Sequence, residues 1–421
     1  MPRDARSGTA APRTGPVVLR RGLTASLSAA VLSVISVVAP GPFGVPAVGR
    51  APACPVATVT AEPVTGVPWP QTRYAPERLG TLATGAGVTV AVVDSGVDPR
   101  HPQLRGRVLD GVDLLDPGGD GTDDCAGHGT AVASIIAAGR RPDTSFTGLA
   151  PAARILPVRV SEQQVIEGRE SGRTVRPEEF ARAIRWAVDH GAQVLNLSVV
   201  LYADVPAVRS AIRYAVDRDV VVVAAAGNLH GDGDPRPYPA AYAGVIGVGA
   251  ITADGGLADF SQVGPYVDVV APGSDVIAAV PGRGHRRTAG TSYATPFVAA
   301  TAALLRQYRP ELTAGQVADR IAATADPARG AGPGSGYGAG VLNPYRAVSE
   351  TPPGRPVTPT VLSGDDPAGP GLAAREVRRS AARDRALLVA GSVSAVVVLA
   401  VLLALVLPRG TRRGWRPADP D

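Results

Sequence analysis

The chain has 421 residues, enough for one large domain or two modest ones, and a formal net charge of +5. That charge sits at the ends: residues 1–53 carry six Arg against one Asp, and residues 371–421 carry nine Arg against four acids. Residues 54–370 are therefore acidic, which excludes a basic nucleic-acid-binding surface on the folded part.

In chain order, Arg20 and Arg21 precede an apolar run over 22–39, the charged and hydrophobic regions of a secretory signal. Ala51-Pro52-Ala53 supplies a small-x-small cleavage site, so 1–53 reads as a signal region. Residues 54–86 hold several Pro and no clear period, and read as an extension lying extended on the domain. From 87 to 349, short Val-rich runs alternate with amphipathic segments. The runs at 88–93, 154–160, 193–198, 219–225, 245–250 and 267–270 are apolar at nearly every position, as strands buried on both faces should be. Helical patterns fill 129–138, 177–190 and 205–218. Pro177 suits a first helical turn, and Glu178 and Glu179 suit its dipole. This alternation predicts a doubly wound parallel α/β sheet flanked by helices.

Two irregular stretches interrupt it. Residues 116–126 are rich in Gly and Asp. Their acids, Asp116, Asp120, Asp123 and Asp124, lack calcium-ligand spacing and read as a solvated loop. Residues 161–176 are polar and charged, an exposed insertion. Residues 350–385 form a linker and juxtamembrane segment. The uncharged run over 386–407 spans about 33 Å as a helix, enough for a hydrocarbon core of about 30 Å. Arg409, Arg412, Arg413 and Arg416 follow it. Together with the export signal this predicts a single-pass membrane protein, its main domain extracytoplasmic and its tail, 408–421, cytoplasmic.

The two cysteines are Cys54 and Cys125. An even number in an exported chain favours a disulfide, and two alone make a poor zinc site. Ala53-Cys54 also invites a lipoprotein reading, which the preceding Pro52 fits badly. No metal or cofactor is called for.

Four polar residues sit where ligands gather in an open parallel sheet, at strand ends and helix starts. Asp94 ends the run "VTVAVVD"; alone it reads equally as an Asx-turn. The Gly85-x-Gly87 pair precedes that strand, so a dinucleotide fingerprint fails. His128 opens a helix between two glycines, which strip bulk from around the imidazole. Asn228 follows "VVVVAAAG", where a carboxamide donates into a cleft. Ser292 opens the helix of "AGTSYATPFVAATAALL", where a serine is most often a cap. Taken together they make a mechanism: a serine needs a base within reach, His128 supplies it, and Asp94 fixes its tautomer. Asn228 and the Ser292 backbone N–H then donate to a tetrahedral oxyanion.

The order Asp…His…Ser, with "AVVDSGVDPRHPQL", "GHGTAVAS", "GLAPAARILPVRV" and "YPAAYAGVIGVGAI", resembles the subtilisin-like serine proteases over 87–348. The resemblance implies that Asp94, His128 and Ser292 form the triad and Asn228 the oxyanion hole. It also implies a substrate-binding edge at Ser198, Val199 and Val200, facing Ala225, Ala226 and Gly227. The segment after "NLS" departs from the family's Leu-Gly-Gly, so residue preference does not carry over. The short cysteine-bearing extension, the second cysteine before His128 and the C-terminal anchor resemble the mycosins, membrane-anchored subtilases of type VII secretion systems. That resemblance implies protein or peptide substrates and a secretion membrane complex as partner. The alternatives are a scaffold of that complex with dispensable proteolysis, or a membrane-anchored subtilase unrelated to secretion.

Overall fold

The computed structural model describes residues 61–166, 169–328, 330–332 and 334–350. The signal region, Cys54, the linker, the run over 386–407 and the tail lie outside them. Among the described residues no helix is long and apolar enough to cross a membrane.

In chain order the elements are α1 (Trp69–Tyr74), α2 (Pro76–Leu79), β1 (Thr89–Asp94), β2 (Val112–Asp113), α3 (His128–Ala137), β3 (Arg154–Arg159) and the hairpin β4 (Gln164–Ile166)–β5 (Arg169–Ser171). Then come α4 (Pro177–Asp189), β6 (Val194–Leu197), α5 (Pro206–Val216), β7 (Val221–Ala225), β8 (Val245–Ile251) and β9 (Val269–Pro272). The hairpin β10 (Val276–Ala279)–β11 (His285–Thr288) leads into α6 (Thr291–Tyr308), α7 (Ala314–Ala323) and α8 (Pro344–Ser349).

Each of the six apolar runs forms a strand, with ends shifted by one or two residues at most positions. Seven strands make one parallel sheet in the order β2-β3-β1-β6-β7-β8-β9. The chain winds outward from β1 to β3 on one side and to β6 on the other. The carboxyl end of β1 is therefore a topological switch point, where such sheets bind ligands.

Side chains alternate across the sheet as a period of two demands. Val90, Val92, Val194 and Val223 face the layer of α3 and α6; Ala91, Val93, Leu195 and Val222 face α4 and α5. Helix α6 lies under β6, β7, β8 and β9 and against α3. Its residues from Tyr293 to Arg306 are all buried, which explains why it is apolar all round.

Two expectations needed correction. The extension is not simply extended, since α1 and α2 lie within it. Pro68 precedes α1 as its N-cap, and Pro70 and Pro76 sit in the first turns of α1 and α2, where a missing N–H costs nothing. Trp69 Nε1 donates to Ser274 O at 3.1 Å, and Gln71 Nε2 donates to Thr147 O at 2.9 Å, so this segment is docked. The insertion over 161–176 is not a plain loop either: it carries the β4–β5 hairpin. Within it Arg173 pairs with Glu162 at 2.7 Å, and it ties the insertion to Asp116 at 2.8 Å.

Candidate active site

Asp94 is the last residue of β1 and 3% exposed. His128 is the first residue of α3, and Ser292 the second of α6. The fold brings these three distant positions into one chain of hydrogen bonds. Asp94 Oδ1 lies 2.7 Å from His128 Nδ1, and His128 Nε2 lies 2.9 Å from Ser292 Oγ. With Asp94 accepting at Nδ1, the neutral ring carries its proton there and presents Nε2 as an acceptor to the serine hydroxyl.

The electrostatics fit a base. Burial opposes the imidazolium, but the charge of Asp94 and its hydrogen bond outweigh that, with Asp124 adding to them. The net effect holds His128 above the ordinary histidine range. Arg286 pulls the other way. The Tyr293 ring, 5.0 Å from the imidazole centre to centre, covers one side of it.

The glycines beside His128 are there for backbone reasons more than for access. Gly127 has φ 75. A Cβ on Gly129 would lie 2.0 Å from Gly96 O and 3.2 Å from the Asp94 Cβ. Only glycine lets the start of α3 approach β1 closely enough for the Asp94–His128 bond.

Gly290, φ 149, plays the corresponding part at Ser292. A Cβ there would come within 3.1 Å of Ser292 Oγ and 3.5 Å of Asn228 Nδ2. The space between the Ser292 hydroxyl and the Asn228 carboxamide is thus kept open by the missing side chain. Asn228 Oδ1 accepts from the Thr291 backbone N–H and the Thr291 hydroxyl, each at 2.9 Å. Its oxygen is occupied, so its NH2 group is left to donate into the cleft beside Ser292.

Pro296 lies inside α6 and has no N–H, so the Ser292 carbonyl loses its partner four residues on. Ser198 Oγ donates to that carbonyl at 2.9 Å and itself accepts from Asn196 Nδ2 at 2.9 Å. This contact joins the expected substrate edge to the nucleophile's helix.

A cleft of about 300 Å³ opens over these groups. Ser198, Val199, Val200, Ala225 and Gly227 line it, as do Ser161 and Gln163 from the insertion. Ala226 is the exception. It is fully buried, points to the opposite face from its neighbours, and packs with Ile251 and Tyr266. Gly227, φ 94, is backed by Gln262, whose Oε1 would lie 2.0 Å from a Cβ there. Tyr202, which lines the same cleft, donates to that oxygen at 3.0 Å.

Sequence reading missed Ser95, Asp124, Thr291 and Gln262, all within or beneath the cleft. The acids of the 116–126 loop are not all solvated. Asp124 is 1% exposed and accepts from Ser95 Oγ at 2.7 Å, Gly127 N at 2.7 Å and Thr130 N at 2.8 Å. Asp116 pairs with Arg159 at 3.0 Å and with Arg173. Asp120 accepts from Thr122 N at 3.0 Å. Among the described residues no cluster of acids, His or Cys suits a metal ion.

Cys125 is the one cysteine among the described residues, and it is not a free one. The Arg159 guanidinium donates towards its sulfur at 3.3 Å. The expected partner, Cys54, lies outside the described residues.

Residues 85–340 match the sequence profile described as the Subtilase family. Mycosin-1 of Mycobacterium tuberculosis is 37% identical over 369 residues, 74% of this chain and 76% of its own length. The thermophilic serine proteinase of Bacillus sp. strain AK1 is 39% identical over 282 residues, 66% of each chain. A solved structure described as the serine protease MycP1, an essential component of the type VII (ESX-1) secretion system, aligns with TM-score 0.59 and 33% identity, covering 69% of this chain and 92% of that one.

Proposed function

The chain belongs to the subtilase family of serine endopeptidases, and from that premise we propose a mycosin-like protease working through Asp94, His128 and Ser292. The observation that carries this is the unbroken run Asp94–His128–Ser292, with bonds of 2.7 and 2.9 Å. His128 Nε2 takes the proton from Ser292 Oγ as the oxygen attacks the scissile carbonyl carbon. The tetrahedral oxyanion accepts from Asn228 Nδ2 and the Ser292 backbone N–H, with the positive end of α6 behind them. The C–N bond breaks as His128 returns the proton to the leaving amine. Water, deprotonated by the same imidazole, then hydrolyses the acyl-enzyme.

Apart from Asp94 and His128, the cleft's lining carries no charged side chain among the described residues. This supports peptide substrates with uncharged side chains next to the cleaved bond. In this reading Ser198, Val199 and Val200, which line the cleft, pair through their backbone with an extended peptide.

Membrane anchoring, extracytoplasmic placement and a Cys54–Cys125 bond form part of the same proposal. They rest on the apolar runs, the arginines that flank them and the two-cysteine count. A role in a type VII secretion membrane complex rests on the resemblance to mycosin-1 and to MycP1. The test is hydrolysis of an unstructured peptide pool by the wild-type protein, Ser292→Ala and His128→Ala. Only the wild type should cleave; equal cleavage by Ser292→Ala would refute the mechanism.

A second reading is a scaffold of the secretion complex whose proteolysis is dispensable. What favours it is the description of MycP1 as an essential component of its secretion system. A strain expressing only Ser292→Ala separates the two, since one oxygen is lost and the fold kept. Secretion retained supports the scaffold; secretion lost as in the deletion strain supports proteolysis.

A further inference from the structure

We propose that Asp124 and Ser95 are positioning residues of this active site, holding the start of the His128 helix in register with the Asp94 carboxylate. The proposal rests on the reading of Asp94, His128 and Ser292 as the catalytic machinery.

A helix leaves its first N–H groups without partners, and the residue before it ordinarily accepts from them through a side chain. Gly127, which precedes α3, has no side chain to do so. Asp124, three residues earlier, does it instead: Oδ1 accepts from Gly127 N and Oδ2 from Thr130 N, at 2.7 and 2.8 Å. Between them Gly129 N donates to Ser95 Oγ at 2.9 Å. Ser95 Oγ in turn donates to Asp124 Oδ1 at 2.7 Å. Three N–H groups at the start of the helix are thus satisfied by one carboxylate and one hydroxyl, and His128 is held among them.

The same two residues set the acid of the triad. Ser95 N donates to Asp94 Oδ1 at 2.7 Å, the oxygen that also takes His128 Nδ1. Asp94 Oδ2 is buried and takes no hydrogen bond from a side chain or backbone among the described residues. The orientation of Asp94 therefore depends on one oxygen, and that oxygen on the placement of Ser95. Ser95 is fixed by its hydroxyl, clamped between Asp124 and Gly129 N. Neither residue bonds Ser292, so they act through the triad.

Asp124 also contributes charge. The groups facing His128 are Asp94 from β1, Asp124 from the loop before α3, Arg286 from β11 and the Tyr293 ring from α6. The two carboxylates favour the imidazolium formed as Ser292 attacks, and Arg286 opposes it. Asp124 is costly to bury, since desolvation pushes its carboxyl up despite the bonds from Thr130 and Ser95. A neutral cap would satisfy fewer of the N–H groups and would add no charge.

The two contributions separate by mutation. Asp124→Asn keeps the shape, removes the charge and turns an NH2 group against an N–H donor. Ser95→Ala removes the clamp and leaves the charge. The experiment measures kcat and KM on a peptide, and the rate of fluorophosphonate labelling of Ser292, from pH 5 to 9, at a temperature where circular dichroism shows each protein folded. Asp124→Asn should lower kcat roughly tenfold, leave KM within about twofold, and move the acid limb of labelling to lower pH. Ser95→Ala should lower kcat without moving that limb. If both variants keep the wild-type limb and the wild-type rate per folded molecule, Asp124 and Ser95 are structural only and the proposal fails. Where Asp124→Asn does not fold, Ser95→Ala decides alone, an unchanged kcat overturning the idea. A wild-type protein that takes no label sinks the protease reading itself, a result distinct from either.

Discussion

The hydroxyl of Ser198 donates to the backbone carbonyl of Ser292 at 2.9 Å, filling a bond that Pro296 leaves open. One contact therefore couples the proposed substrate edge to the proposed nucleophile. Ser198→Ala should cost about 1 kcal/mol of stability, the net worth of one such bond. It should lower kcat/KM several-fold, because Ser292 loses part of its anchoring. Pro296→Ala restores the helical N–H and should make Ser198→Ala cheaper. A double-mutant cycle on thermal stability and kcat/KM checks this. Strict additivity would mean that the two residues do not share the carbonyl.

Asn228 depends on Thr291 to keep its oxygen turned away from the cleft. Asn228→Ala should reduce kcat by roughly 10²–10³, the range known for the equivalent donor in subtilisin, with little change in KM. Thr291→Val removes one of the two bonds to the carboxamide oxygen and should lose a smaller part of the same effect. Steady-state kinetics on a peptide ester and a peptide amide would show both losses. A change confined to KM would count against the oxyanion role.

A Cys54–Cys125 bond would pin the extension beside the cleft, three residues before His128. Closing a loop of about seventy residues stabilises by on the order of 4 kcal/mol in the chain-entropy model. Non-reducing peptide mapping of protein from the cell envelope should recover the linked pair. Cys54→Ser should loosen the segment ahead of α1 without touching the triad bonds. Finding Cys54 as a free or lipid-bearing thiol would contradict the pairing.

The sequence readily exposes whatever repeats along one element. Six of the seven sheet strands are legible because strands covered on both faces are apolar throughout, as in "VVVAA". Asp94 and Asn228 are legible because they end such runs. By contrast β2 is two residues long and leaves no period to read. Helix α7 carries a signal that was open to reading: Thr313 and Gln316 form a reciprocal capping box. Asp124 was not legible as a buried group: its bonds from Gly127 N and Thr130 N are local, but Ser95, whose hydroxyl also donates to it, is brought there only by the fold. The glycines around His128 were visible, but the close approach to Gly96 that requires them was not.

A second histidine ties stability to pH. His285 is 9% exposed; its Nδ1 accepts from Val64 N at 3.2 Å, and Nε2 bonds Gln103 Oε1 at 2.7 Å. Burial, with His101 adding to it, pushes its pKa down to about 4, while Asp143 works the other way. The unfolded chain binds this proton below about pH 6.5, so the stabilisation is present above that value and is lost as pH falls towards 4. Asp268 works in reverse. Burial lifts its carboxyl to about 6, so its effect grows as pH falls through the same window. Wild type alone would partly hide both. The stability difference between wild type and His285→Asn should instead rise by on the order of 2–3 kcal/mol between pH 4 and 7. Urea unfolding at several pH values measures it; a difference that stays flat would mean that His285 titrates normally.

The most direct test of Ser292 as the nucleophile is to find which residue a fluorophosphonate modifies. The wild-type protein is labelled at neutral pH, digested and mapped by mass spectrometry. One adduct is expected, on Ser292, absent from Ser292→Ala and strongly reduced in His128→Ala. An adduct on another residue, or labelling that persists in Ser292→Ala, would contradict that assignment.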